Sequence, residues 1–152
     1  MPNVPLLASS PLTCRAASGG EQDAWFDDML SAYRSSGGLA RVEDLVAGVG
    51  HGGGPGLALL DRWIVERTVI GFAWQADTWL PMFQFERADM TPKPSLGRVF
   101  AELRPVYDPC ELADWFAWPN AWLAGHAPVS VFASDAAAVL QAARADRYIA
   151  CG

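Results

Sequence analysis

Cations, cysteines and histidines are all scarce in this chain, and each scarcity argues against a class of function. Eleven Lys and Arg stand against seventeen Asp and Glu, giving a formal net charge of -6 over 152 residues. That is the reverse of the basic footprint that neutralises nucleic-acid phosphates, so strong nonspecific DNA or RNA binding is disfavoured. The three cysteines, Cys14, Cys110 and Cys151, are odd in number and widely spaced. They make neither a disulfide framework nor paired C-x-x-C zinc ligands, and read as small apolar fillers and a tail thiol in a reducing compartment. The histidines, His51 and His126, lie far apart without Cys or carboxylate at ligand spacing, so no metal is expected. The start lacks the basic, long apolar pattern of a signal peptide, and no stretch approaches ~18 uninterrupted apolar residues. A cytoplasmic protein with no membrane segment is expected.

What the chain does have is apolar residues, 51% of the total, enough for one well-buried domain or two small subdomains sharing a core. Residues 1–20 are rich in Pro, Ser, Ala and Gly and read as a flexible tail. From Asp23, Trp25, Phe26, Met29, Leu30 and Tyr33 mark one helix face, which Gly37-Gly38 would end. A short second helix carries Val42, Leu45, Val46 and Val49, with Glu43 and Asp44 in its first turn. The glycine-rich segment 48–56 separates it from a third helix expected to turn Leu57, Leu60, Trp63 and Ile64 inward. Residues 69–85 then read as a β-hairpin, with Pro81 pointing to an exposed ladder edge.

Beyond Thr91-Pro92-Lys93-Pro94, Leu96, Val99, Phe100 and Leu103 recur with helical spacing, and Pro105 ends that helix. Asp108, Pro109 and Glu111 have the residues of a capped helix start, leading to a helix that buries Leu112, Trp115 and Phe116. Pro119 stops it, Asn120 caps a short turn holding Trp122 and Leu123, and Gly125 closes that turn. Ser134 or Asp135 caps a final helix with Val139, Leu140 and Ala143 inward and Arg144 and Arg147 near its end. The expected fold is mainly α, a helical bundle with one β-hairpin. Its parts are a helix-helix-wing-like subdomain over 21–90 and a helical subdomain over 91–152, packed as one compact unit.

Catalytic patterns are not evident. The run Gly48-Val49-Gly50-His51-Gly52-Gly53-Gly54-Pro55-Gly56 has no Lys-Ser/Thr ending and follows a helix rather than a strand, unlike a phosphate loop. No nucleophile-elbow pattern occurs, so neither an enzyme nor a cofactor is expected. Seven tryptophans are many for this length, and Trp63, Trp74 and Trp115 are expected in the core. Trp118 and Trp122 flank a Pro-Asn break and cannot all share one stripe; exposed, they would mark a partner or dimer surface.

The ordered set Trp115, Phe116, Pro119, Asn120, Leu123, Gly125 and Pro128 follows W-F-x-x-P-N-x-x-L-x-G-x-x-P and precedes an Ala-rich helix. It resembles the C-terminal toxin-binding domain of the Xre/MbcA/ParS-type antitoxins. Upstream, Leu80-Pro81-Met82-Phe83-Gln84-Phe85 is similar to the L-P-x-F-Q-F end of the hairpin preceding that domain in many relatives. The resemblance implies a mainly helical, dimeric, noncatalytic protein whose partner is a NAD-degrading RES-domain toxin. It further implies that the C-terminal end covers the toxin active site, which would bring Arg144, Arg147 and Tyr148 to the interface beside Trp118, Asn120 and Trp122. Pro81, Phe83 and Phe85 would be structural.

Family members that repress transcription carry an N-terminal helix-turn-helix, and residues 39–85 look like a remnant of one. Residues 37–90 hold four arginines (Arg41, Arg62, Arg67, Arg87) against seven acids (Glu43, Asp44, Asp61, Glu66, Asp77, Glu86, Asp89), a net charge of -3. The segment is therefore poorly suited to DNA. Two alternatives stay open: a winged-helix-like regulator of its own operon, and a stand-alone interaction protein without a toxin.

Overall fold

The computed structural model describes residues 19–48 and 55–152. Residues 1–18 of the expected 1–20 tail and most of the glycine segment, 49–54, lie outside the described residues. Gly19 and Gly20, assigned to the tail by composition, begin helix α1 (Gly19–Tyr33). Phe26, Met29 and Tyr33 form its buried face. Gly37 takes φ 110°, which ends the helical path after a 3-10 turn at Arg34–Ser36.

Three strands follow in one antiparallel sheet: β1 (Leu39–Arg41), β2 (Phe72–Trp74) and β3 (Asp77–Pro81), in the order β1-β3-β2. Helices α2 (Val42–Gly48) and α3 (Leu57–Val65) lie between β1 and β2 in the chain. The hairpin turns on Gln75 and Ala76, both at positive φ (48° and 64°) between the paired Trp74 and Asp77. Two consecutive residues at positive φ give the primed turn whose twist suits a tight hairpin.

Several sequence expectations need correction here. The hairpin does not extend over 69–85: strand pairing spans Phe72–Trp74 and Asp77–Pro81, and Met82–Gln84 form a 3-10 turn. Pro81 is not at an exposed edge but buried at the end of the central strand, opposite Leu39. It is tolerated there because the β2 ladder has already stopped at Trp79, leaving β3 with a strand on one side only. Leu57 is 52% exposed rather than inward, since Leu60 and Ile64 alone supply the buried face of α3.

Alternation along β3 divides the interior. Leu80 joins Leu60, Ile64, Val69 and Phe85 beneath α2 and α3. Trp79 turns the other way, toward Phe26 of α1 at 4.8 Å between ring centroids, where Phe26 also stacks on Trp74 at 3.9 Å. That second side is the main core. It runs continuously from α1 and Phe72 through Phe83 into α4 (Pro94–Leu103), α5 (Pro109–Ala117), α6 (Pro128–Phe132) and α7 (Ala136–Cys151). Residues from both expected subdomains thus share one buried cluster.

Cys110 is buried at the start of α5, but it is disulfide-bonded rather than a free filler, so the cysteines no longer argue for a reducing compartment. Cys151 is free and exposed. No helix among the described residues is long and apolar enough to cross a membrane.

Candidate functional site

Local rules place each residue of the Trp115–Gly125 segment. Asp108 accepts from the Glu111 amide at 2.8 Å while the Glu111 carboxylate accepts from the Asp108 amide at 2.9 Å, a complete capping box with Pro109 in the first turn. The α5 helix then runs to Ala117, and Trp118 is extended (φ -101°, ψ 153°), as the ring of Pro119 demands of its predecessor. Asn120 caps the 3-10 turn Ala121–Leu123 by accepting from the Trp122 amide at 2.8 Å. Its backbone N–H donates to the His126 carbonyl at 3.0 Å, and its carbonyl accepts from the Leu123 and Gly125 amides at 3.0 and 2.9 Å. Ala124 and Gly125, at φ 57° and 83°, bend the chain back toward α6.

The segment is fastened to α7 by Asp146. Its Oδ2 accepts from Trp115 Nε1 at 2.7 Å and from Asn120 Nδ2 at 3.0 Å, and its Oδ1 accepts from Trp122 Nε1 at 2.9 Å. Asn120 is 8% exposed, so its amide has little access to water, and Asp146 supplies the acceptor. Sequence reasoning missed this residue. The available signal was that Asp146 is the only acid in α7.

Trp115, Asn120 and Trp122 thereby wall an open groove of about 470 Å³, completed by Trp118, Glu111 and Asp114. Trp118 and Trp122 are 39% and 56% exposed, while Phe116 and Leu123 point into the core. Trp115 and Trp74, expected in the core, are only half-buried, as is Trp63. Tyr107 also lines the groove, and burial, with the charges of Asp146 and Glu111, pushes its phenol above the ordinary value. Three carboxylates, Glu111, Asp114 and Asp146, line the same cleft.

The six residues expected to bind a partner fall into two groups. Trp118, Asn120 and Trp122 surround the groove. Arg144 and Tyr148 each lie two positions from Asp146 on α7, about 200° around the helix and so on its far side. Tyr148 is 82% exposed there, and Ile149 beside it 63%. Arg144 and Arg147 both reach Glu102 of α4, at 3.3 and 3.1 Å. One carboxylate faces two guanidiniums, so this corner keeps an excess positive charge on half-exposed side chains. The hydrogen bond from Arg147 holds the Glu102 carboxyl below the usual glutamate range.

Two expectations follow. Replacing Asp146 by Ala leaves the buried Asn120 donor and the Trp115 indole without their acceptor, for a loss of about 2 kcal/mol in urea unfolding; Asp146→Asn, which keeps one acceptor oxygen, should lose less. Because Glu102 has its carboxyl lowered in the folded state, its pairing adds stability above the ordinary glutamate range, and that contribution disappears as the pH falls through the lowered value. Glu102→Gln should therefore flatten acid unfolding curves in that window; an unchanged curve would show the pair to be inert.

No group of three or more His, Cys, Asp and Glu among the described residues is arranged to hold a metal ion. No protein-family model, curated protein or solved structure matches the chain.

Proposed function

We propose that this chain is a noncatalytic, dimeric antitoxin-like protein that binds and neutralises a RES-domain toxin through its C-terminal half. The observation that carries the proposal is the use made of the W-F-x-x-P-N residues. Phe116 and Leu123 anchor the segment in the core, Asn120 and Trp115 tie it to α7, and Trp118 and Trp122 are left facing outward. Exposed indoles on a hydrogen-bonded, well-packed base are the arrangement expected of interface anchors rather than of core fillers. Tyr148 and Ile149 are also exposed at the end of α7, Tyr148 on the side away from the groove. The experiment is co-expression with the neighbouring reading frame, read by growth rescue and by copurification. Rescue and a stable complex are expected; toxicity unrelieved by this chain, with no complex, overturns the proposal.

A second reading has one observation in its favour. The order α1, β1, α2, α3, β2, β3 with β3 central resembles that of a winged helix, which would make this a DNA-binding regulator. Three of the four arginines in residues 37–90 are engaged elsewhere. Arg41 pairs with Asp44 at 3.0 Å and with Glu43 and Asp77 at 3.5 Å, and Arg62 with Glu66 at 3.7 Å. Arg67 donates to the carbonyls of Arg104 and Tyr107. Mobility-shift titrations on the upstream region at low salt should show no complex; a band whose affinity falls steeply with salt would restore this reading.

A further inference from the structure

We infer that the groove beside Asp146 receives an arginine side chain from the protein partner, stacked on the indole of Trp118 or Trp122 and hydrogen-bonded to carboxylate oxygen. The inference rests on this face being a partner-binding surface, but not on the partner being a RES-domain toxin.

Charge complementarity carries it. Glu111, Asp114 and Asp146 line the groove, and among the described residues no Lys or Arg does. Asp146 accepts its three hydrogen bonds from neutral groups, two indoles and an amide, so its negative charge is positioned without being neutralised. The acceptor count leaves room for a ligand. A carboxylate offers roughly four lone-pair sites. Both sites on Asp146 Oδ2 are occupied, whereas Oδ1 takes only Trp122 Nε1 and keeps one position. Glu111 spends Oε1 on the Asp108 amide, leaving Oε2.

The aromatic walls select the cation. Trp122 directs its N–H inward to Asp146 and so presents the rest of its ring to solvent at 56% exposure. A guanidinium is planar, weakly hydrated and rich in donors, so it stacks on an indole face while donating to carboxylates. An ammonium serves one of these contacts well, and a phosphate or carboxylate ligand is repelled by Glu111 and Asp146. At about 470 Å³, the open groove admits a peptide segment rather than a lone ion.

The test is an NMR titration of the full chain, reading the tryptophan indole N–H signals. The probe is the peptide acetyl-Gly-Ser-Arg-Ser-Gly-amide, compared with versions carrying citrulline or lysine at the centre. The arginine peptide should shift the Trp122 and Trp118 signals saturably, the lysine peptide should bind more weakly, and the neutral citrulline peptide should leave them in place. Glu111→Gln and Trp118→Ala should each weaken arginine-peptide binding about fivefold to tenfold. Both positions are exposed, and Gln still completes the capping box, so unchanged melting curves confirm that the fold is intact. Equal shifts with arginine and citrulline, or none at millimolar peptide, overturn the inference. Copurification of a toxin despite a silent arginine peptide would sink the groove while sparing the proposed function; a bound peptide with no toxin complex would do the reverse.

Discussion

Replacing Gln84 by Leu should cost about 3 kcal/mol, although the new side chain is apolar, of similar size and placed in an apolar setting. Gln84 is 1% exposed. Its Oε1 accepts from the Ile70 amide at 2.7 Å and its Nε2 donates to the Ile70 carbonyl at 2.9 Å. Ile70 is itself buried and lies before β2 begins at Phe72, so its backbone has no ladder partner. The carboxamide takes the place of a neighbouring peptide group. Leucine would leave a buried N–H and a buried C=O unpaired, at about 1–3 kcal/mol each, partly offset by the apolar area it contributes. For a chain of this size a loss of about 3 kcal/mol corresponds to about 6–12 °C in melting temperature. Hydrogen exchange gives the sharper check, because the Ile70 amide should lose more protection than the α4 amides, which fall only with global stability. A Leu variant as stable as the parent would show that these two bonds contribute nothing net.

Gln84 also shows what kind of information the sequence displays. It stands in Leu80-Pro81-Met82-Phe83-Gln84-Phe85, where a polar residue between two buried phenylalanines is conspicuous, yet its partner is 14 residues away and carries no polar side chain. Signals that act within one turn of chain were legible. The capping box at Asp108, the stop at Pro119, the Asn120 cap and the stripe Leu96, Val99, Phe100, Leu103 all belong to that kind, and the structure contains each of them. Of the two caps considered for the last helix, Asp135 is the one used. Features created by distant pairing were not legible. Strand β1 is three residues long and becomes a strand by pairing with Trp79–Pro81, some forty positions later. Helix α6, at five residues, is too short to show a period. Asp146 has the sequence setting of ordinary helix-surface charge, because nothing local reveals that two indoles and an amide converge on it.

The Phe116→Ala variant should lose about 4 kcal/mol and should do so in a single transition. Phe116 is fully buried, and its ring meets Phe83 at 5.1 Å, Phe100 at 5.9 Å and Trp115 at 4.9 Å. Truncating a buried aromatic removes its transfer free energy and leaves a cavity, together about 3–5 kcal/mol. Its position makes the result informative beyond its size. Phe83 follows the sheet, Phe100 lies in α4 and Phe116 in α5, so the ring joins the N-terminal and C-terminal halves of the chain. If the halves form one cooperative unit, tryptophan fluorescence and far-UV circular dichroism should report the same lowered midpoint. Separate transitions would instead mean that the 21–90 and 91–152 parts fold independently and that the shared aromatic contact is weak. The variant also bears on binding. Phe116 adjoins Trp115, which is held by Asp146, so loosening this ring should disturb the base on which Trp118 and Trp122 are mounted. Partner affinity should therefore fall even at temperatures where the variant remains folded, whereas a substitution in the other buried cluster, such as Leu60→Ala in α3, should lower stability and leave binding by the folded protein intact.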